Sequence, residues 1–177
     1  PKRPVSLSND HQDEVSSPPR PLAIDRMALI AGAVLALDQI TKAAVVSLWA
    51  PGTHGPDVIP GFFSLVHFRN RGGAWGILGD FPLGLVVFSF LALAFIAVRL
   101  RSLVEDSAWR AVCIALVTGG ILGNLVDRLA RGEVVDFLLF RLGRYSWPAF
   151  NVADSAICVG VFGFLIATFI EQSRAQQ

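Results

Sequence analysis

Long apolar runs separated by short polar stretches dominate the chain. Four of these runs are long enough to cross the hydrocarbon core of a bilayer as helices, which takes about 17–25 mostly apolar residues. They lie at residues 27–49, 81–98, 109–127 and 152–170. In lipid, a helix satisfies its own backbone hydrogen bonds, so the pattern predicts an α-helical integral membrane protein. We expect one domain with four transmembrane helices, residues 23–172.

The remaining parts of the chain have a different pattern. Residues 52–78 hold aromatic and β-branched side chains bounded by prolines and glycines, which favours short strands in a small β element at the membrane surface. Residues 1–22 have no apolar periodicity and predict a disordered tail, and residues 173–177 a second, short tail. Because the first apolar run begins only near Met27, we expect a retained span and not a cleaved signal peptide.

Composition agrees with a membrane location and excludes several functions. The chain is 53% hydrophobic and 16% charged, whereas a soluble domain carries about 25% charged residues. The net charge is only +1 and no basic run occurs, so nucleic acid is not an expected partner. Cys113 and Cys158 both lie in apolar runs, which indicates neither a disulfide framework nor a cysteine metal site.

Polar side chains near the membrane are few, and their positions share one property. An ionisable residue inside a span is costly and is by default a functional candidate. With four spans, all of these candidates fall in the same half of the membrane, whichever way the chain is oriented. They are Asp38, Lys42, Asn70, Arg71, Asn124, Asp127, Arg128, Asp136, Asn151 and Asp154. The sequence therefore predicts a single one-sided site for catalysis or transport.

The spacing of the first candidates allows two interpretations. Asp38 and Lys42 are four apart on one helix face and can pair, either to neutralise each other for insertion or to contact a substrate. Asn124 and Asp127 also share a face, but Asp127 with Arg128 could simply mark the interfacial end of the third span. For each pair, a structural role and a role in the site both stay open.

The last candidates suggest acid–base chemistry. Asn151 and Asp154 fit an N-cap and its third residue, which is a structural alternative. Asp136, in the facing loop, supplies a second acid. Two carboxyl groups within a few Å cannot both ionise easily, so one keeps a proton while the other acts as base toward water, as in aspartic proteases.

Other chemistries lack the residues they need. The chain has no HExxH, and His11, His54 and His67 are too scattered for a zinc site. It also has no GxSxG elbow and no phosphate-binding loop. We therefore expect no metal and no cofactor.

Five ordered blocks within residues 24–172 resemble the signature blocks of the lipoprotein signal peptidase family, also called signal peptidase II. The blocks are Asp38-Gln39-Ile40-Thr41-Lys42, Asn70-Arg71-Gly72-Gly73-Ala74-Trp75-Gly76, Gly119 to Arg128, Val134-Val135-Asp136-Phe137 and Phe150-Asn151-Val152-Ala153-Asp154-Ser155. The resemblance implies four transmembrane helices, a periplasmic β-cradle with a mobile loop, and the bacterial inner membrane. It also implies an aspartyl protease, the target of globomycin, that cleaves prolipoproteins before a diacylglyceryl-modified cysteine.

The resemblance assigns roles to individual residues. The catalytic pair corresponds to Asp136 and Asp154, with Asp127 as the competing candidate for the first position. Supporting or substrate-binding positions correspond to Asp38, Lys42, Asn70, Arg71, Gly72, Asn124, Asp127, Arg128 and Asn151. The second block departs from the family pattern at Gly73, Trp75 and Gly76. The loop around Trp75 could close over the site as a lid or only rest on the membrane.

Orientation and partners complete these expectations. Eight basic residues fall on the side of the termini and six on the other, which favours cytoplasmic termini. The expected partners are a diacylglyceryl-modified prolipoprotein and membrane lipids, and we expect a monomer. The alternatives are a proton- or ion-coupled transporter that uses the same acids, or a structural subunit. A transport path would spread polar groups through the bilayer, whereas here they lie in one half.

Overall fold

A computed structural model of the protein describes residues 24–72, 82–105 and 107–175. The part it describes contains four long helices: α1 (Ile24–Leu48), α2 (Pro82–Val104), α3 (Ala108–Arg131) and α4 (Val152–Ala175). Each is long and apolar enough to cross a membrane. The prediction of four spans is therefore confirmed, and α4 extends into residues 173–175, which we had expected in the C-terminal tail.

The predicted N-terminal tail and the loop around Trp75 lie outside the described residues. Two departures from the family pattern, Gly73 and Gly76, belong to that same loop. The predictions about its mobility and its role as a lid therefore stay predictions.

Helix α3 packs against the three other helices, and glycines let two of them approach its backbone closely. A Cβ on Gly119 would lie 2.7 Å from the carbonyl oxygen of Ala31 in α1. A Cβ on Gly120 would lie 2.4 Å from the carbonyl oxygen of Ala153 in α4. Real Cβ atoms do not come so near to backbone oxygens, so these contacts require glycine.

The ends of α3 direct the chain into the sheet. The Ser107 side chain caps the first turn by accepting from the Arg110 N–H, 3.3 Å away. At the other end, Gly132 has φ +74° and its N–H donates to the carbonyl oxygen of Arg128. The chain can thus turn within two residues from α3 into a strand.

A four-stranded antiparallel sheet lies at the end of the bundle where α1 and α3 finish and α4 begins. Its strands are β1 (Thr53–Ile59), β2 (Phe63–Asn70), β3 (Val134–Leu142) and β4 (Tyr145–Ser146), in the order β1-β2-β3-β4. The predicted β element at residues 52–78 is confirmed for β1 and β2. The other half of the sheet comes from a region that we had interpreted as a loop.

Asp136 accordingly lies on β3 and not in a loop, which corrects the sequence interpretation. Strand β3 was missed because it begins with four consecutive buried residues, Val134 to Phe137, and so lacks the alternation of a half-exposed strand. Val135 and Phe137 pack with Val45 of α1 in an apolar cluster. This cluster holds the sheet against the bundle.

Strand register decides which residues face the site. Phe68 pairs with Asp136 and Asn70 pairs with Val134. Paired residues point to the same face of a sheet, and alternate residues share a face. Asn70, Val134 and Asp136 therefore lie on one face, while Arg69 lies on the other.

Candidate active site

A cavity of about 510 Å³ opens where the sheet meets α3 and α4. Its lining residues are Asn70, Gly72, Asn124, Arg128, Val134, Asp136, Trp147, Pro148, Phe150, Asp154, Ser155, Ile157 and Cys158. Six of the predicted site residues are among them, including both carboxyl groups of the predicted pair. The other predicted residues lie outside this lining.

Asp136 enters the cavity from β3 and is almost fully buried, with 3% of its surface exposed. Its Oδ2 accepts from Asn70 Nδ2 at 3.0 Å and its Oδ1 from Asn151 Nδ2 at 2.8 Å. Burial, and secondarily the negative charge of Asp154, raise the pKa of Asp136 to about 7 although these two amides oppose the shift. Asp136 can therefore hold or release a proton near neutral pH.

Asp154 enters the same cavity from the first turn of α4. Its backbone N–H donates to Asn151 Oδ1 at 2.9 Å, and its Oδ2 accepts from the Asn151 N–H at 3.2 Å. This reciprocal pattern is a capping box, so the two residues cap the start of α4. The other oxygen, Oδ1, accepts from Asn124 Nδ2 at 2.7 Å. Asp154 therefore combines a capping role with a place in the cavity wall.

Two asparagines connect the carboxyl groups. Asn151 Nδ2, besides its bond to Asp136, lies 3.2 Å from Asn124 Oδ1 and 3.3 Å from the carbonyl oxygen of Val135. Asn124 in turn donates to Asp154. The amides thus join α3, β3 and the start of α4 in one network, which sets the relative positions of the two acids.

A buried charge cluster lies behind this network. Lys42 Nζ is 2.8 Å from Asp38 Oδ2, 2.9 Å from Asp127 Oδ2 and 3.1 Å from Asn124 Oδ1. Lys42, Asp38 and Asp127 are all fully buried. The predicted pairing of Asp38 with Lys42 is confirmed, and neither residue lines the cavity. Lys42 also fixes the orientation of the Asn124 amide, because an ammonium group can only donate.

Asp127, the competing candidate for the catalytic pair, is occupied by other partners. Its carboxylate pairs with Lys42 and Arg131 and accepts from Gln39 Nε2 at 3.2 Å and from the Val135 N–H at 3.2 Å. It does not line the cavity. These contacts give Asp127 a structural role in joining α1, α3 and β3.

The two arginines predicted to support the site, Arg128 and Arg71, have different surroundings. Arg128 does not pair with its neighbour Asp127 but turns toward the cavity, where it donates to the carbonyl oxygens of Asn124 and Gly72, both at 3.3 Å. Its Nε is buried and has no hydrogen-bond partner within the described part of the chain. Arg71 does not line the cavity, and its Nε lies 3.4 Å from a Glu133 carboxylate oxygen.

Sequence reasoning missed three residues of this region. Gln39 bridges Asp38, Asp127 and the carbonyl oxygen of Gly123, and it stands beside Asp38 in the first block. Arg131 lies four residues after Asp127, a helical pairing distance that could have indicated the contact. Glu133 follows the end of α3, and its partners come from a distant strand that no local spacing reveals.

Metal and cysteine chemistry are the remaining possibilities considered from the sequence. Among residues 24–72, 82–105 and 107–175, no group of three or more His, Cys, Asp or Glu is placed to hold a metal ion. Cys113 is buried and Cys158 is exposed, and both are free. Cys158 contributes to the cavity wall.

Two carboxyl groups that share a cavity, one of them able to exchange a proton near pH 7, are suited to general acid–base activation of water. Four membrane-spanning helices carry this pair to one end of the bundle. Fold and site together are those of a membrane-embedded aspartic protease.

Comparison with known proteins makes the assignment specific. Residues 30–170 match the family described as Signal peptidase (SPase) II, and the chain belongs to that family. A lipoprotein signal peptidase of Syntrophotalea carbinolica is 42% identical over 153 residues, which cover 85% of this chain and 94% of that protein. One from Geobacter sulfurreducens is 46% identical over 143 residues, 79% of this chain and 88% of that protein.

Solved structures of membrane enzymes share this fold. One described as a bacterial membrane enzyme superposes with a TM-score of 0.79 at 32% identity, covering 88% of this chain and 94% of its own. A second with the same description has a TM-score of 0.69 at 35% identity, with 85% and 96% covered. The family resemblance and the membrane protease prediction are confirmed, and nothing in these comparisons supports an ion-coupled transporter.

Proposed function

We propose that this protein removes the signal peptide from bacterial prolipoproteins, with Asp136 and Asp154 as the catalytic pair. The observation that carries the proposal is the shared cavity: both carboxyl groups line it, and amides from separate elements hold each of them. The bond cleaved is the one before a cysteine that carries a diacylglyceryl group.

The two acids divide the chemistry according to their surroundings. Asp154 lies at the N-terminus of α4, where the helix dipole stabilises a negative charge, so it is the base. Asp136, with a pKa raised to about 7 by burial, is the proton donor. A water between them loses a proton to Asp154 and adds to the scissile carbonyl carbon, while Asp136 protonates the carbonyl oxygen.

Collapse of the resulting diol completes the reaction. The C–N bond breaks, the leaving amine takes up the proton held by Asp154, and the diol returns a proton to Asp136. The pair is then ready for a second turnover, and no metal or cofactor enters any step. A charge-assisted hydrogen bond from Arg128, whose Nε has no partner among the described residues, can hold a substrate carbonyl or phosphate oxygen beside the pair.

The apolar side of the cavity suits a lipid-modified substrate. Pro148, Phe150, Ile157 and Cys158 line it close to the acids. Burying acyl methylenes against such a wall contributes about 0.8 kcal/mol for each CH₂ group. The diacylglyceryl group thus supplies binding energy that an unmodified peptide lacks.

Location and assembly belong to the same proposal. The bias of basic residues supports cytoplasmic termini in the inner membrane, which places the cavity toward the periplasmic face. Membrane lipids surround the four helices, and the chain acts as a monomer.

The proposal is tested by cleavage of a diacylglyceryl-modified prolipoprotein peptide by the purified protein in lipid. We expect Asp136→Asn and Asp154→Asn each to reduce kcat by at least about 10³-fold, since each removes one of two acid–base groups. An otherwise identical peptide without the lipid should be cleaved far more slowly.

Asp127→Asn is the control for the choice of acids. It should lower stability through the buried cluster while the folded fraction keeps measurable turnover. If either Asp136→Asn or Asp154→Asn kept full activity while Asp127→Asn folded but was inactive, the assignment of Asp136 and Asp154 as the catalytic pair would be wrong. A wild-type protein that never cleaves the lipidated peptide would refute the function.

A further inference from the structure

Glu133 is a buried acid that the proposed reaction does not use. It follows the helix cap at Gly132 and precedes β3, and only 11% of its side chain is exposed. Its Oε1 lies 2.5 Å from Arg69 Nη1 and its Oε2 lies 3.4 Å from Arg71 Nε. One carboxylate therefore binds two guanidinium groups, one from the end of β2 and one from the residue that follows the strand.

The two arginines flank Asn70, which faces the other way. In the register of the sheet Arg69 pairs with Val135 and Asn70 with Val134, so their side chains point to opposite faces. Asn70 lines the cavity, whereas neither arginine nor Glu133 does. Glu133 thus binds residues on the face of the sheet opposite to the one that carries Asn70 and Asp136.

The amide of Asn70 has little freedom in this position. Its Nδ2 donates to Asp136 Oδ2 at 3.0 Å, and its Oδ1 accepts from the Gly72 N–H at 2.9 Å. Because both ends of the amide are engaged, its orientation is determined and only the placement of the backbone remains to be set. Hydrogen bonds weaken steeply as distance and angle depart from these values.

We propose that Glu133 is a positioning residue for the catalytic pair: by holding Arg69 and Arg71 it keeps the amide of Asn70 against Asp136. The role of Asp136 in catalysis rests on the proposed function. The effect of Glu133 on the Asn70–Asp136 contact does not, and it can be measured without substrate.

The sign of one measurement separates positioning from simple electrostatics. The hydrogen bond from Asn70 lowers the pKa of Asp136, so losing that bond raises it. Neutralising Glu133 through space would act in the opposite direction, because removing a negative charge lowers the pKa of a nearby carboxyl. The charged groups that face Asp136 from α1, α3 and α4 are Lys42, Arg128 and Asp154, and all stay unchanged.

The experiment is an infrared titration of the Asp136 carboxyl in the full-length protein in lipid. Carboxyl-labelled aspartate is used, and the Asp136→Asn spectrum is subtracted to isolate the signal. We expect Glu133→Gln to raise the midpoint by about half to one pH unit, the size expected for one hydrogen bond. Asn70→Ala should raise it similarly, and the double variant should add little to either single change.

Two further variants serve as controls. Glu105→Gln breaks an ion pair with Arg110 near the α2–α3 connection and should leave the midpoint unchanged. Glu133→Asp keeps the charge but shortens the side chain. A higher Asp136 midpoint in this variant therefore reports a change of position and not of charge. This second variant also decides the question if Glu133→Gln does not fold.

Activity supplies an independent readout. We expect Glu133→Gln to lower kcat about tenfold with little change in KM, since misplacing a group near the reacting atoms affects the chemical step. An unmoved or lowered midpoint in both Glu133 variants, or shifts that add fully to that of Asn70→Ala, would overturn the positioning role. Failure of the wild type to cleave would refute the proposed function, while the titration would still decide the role of Glu133.

Discussion

Removing the ammonium group of Lys42 is the most informative single perturbation of this fold. Lys42 lies within 2.9 Å of both Asp38 and Asp127, and all three side chains are fully buried. Lys42→Met keeps an unbranched side chain of nearly the same length but removes the cation that binds both carboxylates. Arg131 still pairs with Asp127, and backbone Ala153 still donates to Asp38 at 2.9 Å.

The expected cost follows from the number of lost partners. Breaking a buried ion pair by removing one member costs about 3–5 kcal/mol, because the remaining charge stays buried. The hydrogen bond to Asn124 Oδ1 adds about 1 kcal/mol. With about 2–4 °C per kcal/mol for a chain of this size, we expect the unfolding midpoint of Lys42→Met to fall by about 8–24 °C.

The assay is thermal unfolding of the purified protein in detergent, followed by tryptophan fluorescence. Arg101→Met is the control, since it removes an exposed charge from the last turn of α2 and should change stability by less than about 0.5 kcal/mol. The triple variant Asp38→Asn, Lys42→Met, Asp127→Asn should recover part of the loss, because no unpaired charge remains buried. A Lys42→Met protein as stable as wild type would refute the reasoning, as would a triple variant no more stable than Lys42→Met.

Three further predictions follow, one from the packing and two from the titration of Asp136. Gly120→Ala should lower the free energy of unfolding by about 1–3 kcal/mol, because its Cβ would meet a backbone oxygen of α4. Gly32→Ala is the control and should not destabilise the protein, because nothing lies within 4 Å of its Cβ. Equal melting temperatures for the two variants would contradict this account. Because the pKa of Asp136 is raised to about 7 from 3.8, its contribution to stability is present below about pH 4 and is lost as the pH rises to about 7. Asp136→Asn should therefore stabilise the protein above pH 7 by about 2–4 kcal/mol and have little effect at pH 4, as measured by unfolding at the two pH values. Cleavage by the wild type should also decline above pH 7 as the proton donor ionises, and a rate that keeps rising to pH 9 would exclude Asp136 as that donor.

The helices could be predicted from the sequence because each carries its own signal. A span of about 20 apolar residues is recognisable without knowing its neighbours. The glycines of α3 also carry a local signal. Gly119 and Gly123 are four residues apart on one face of the helix, and in the structure Ala31 and Asp38 of α1 pack against them. The pairing of Asp38 with Lys42 was equally local, since both lie on one face of α1.

The sheet and the charge partners could be predicted only in part because they depend on distant segments. Strand β3 is buried on both faces, so it shows no alternation, and Asp136 was interpreted as a loop residue. Arg128 stands next to Asp127 in sequence, but adjacent residues on a helix point in different directions. The partner of Asp127 on its own helix is Arg131, one turn further on.

The sequence by itself determined that the protein lies in a membrane, that it has four spans and that its polar residues collect in one half of the membrane. Hydropathy and the alternation of successive spans across the membrane follow from the order of residues in the chain, so they hold for any packing of the helices. Only the tertiary structure decided which acids share a cavity, because the sequence favours Asp136 over Asp127 but does not exclude Asp127. The register of β3 against β2 and the capping box of α4 place Asp136 and Asp154 in the cavity wall, while Lys42 and Arg131 hold Asp127 behind it.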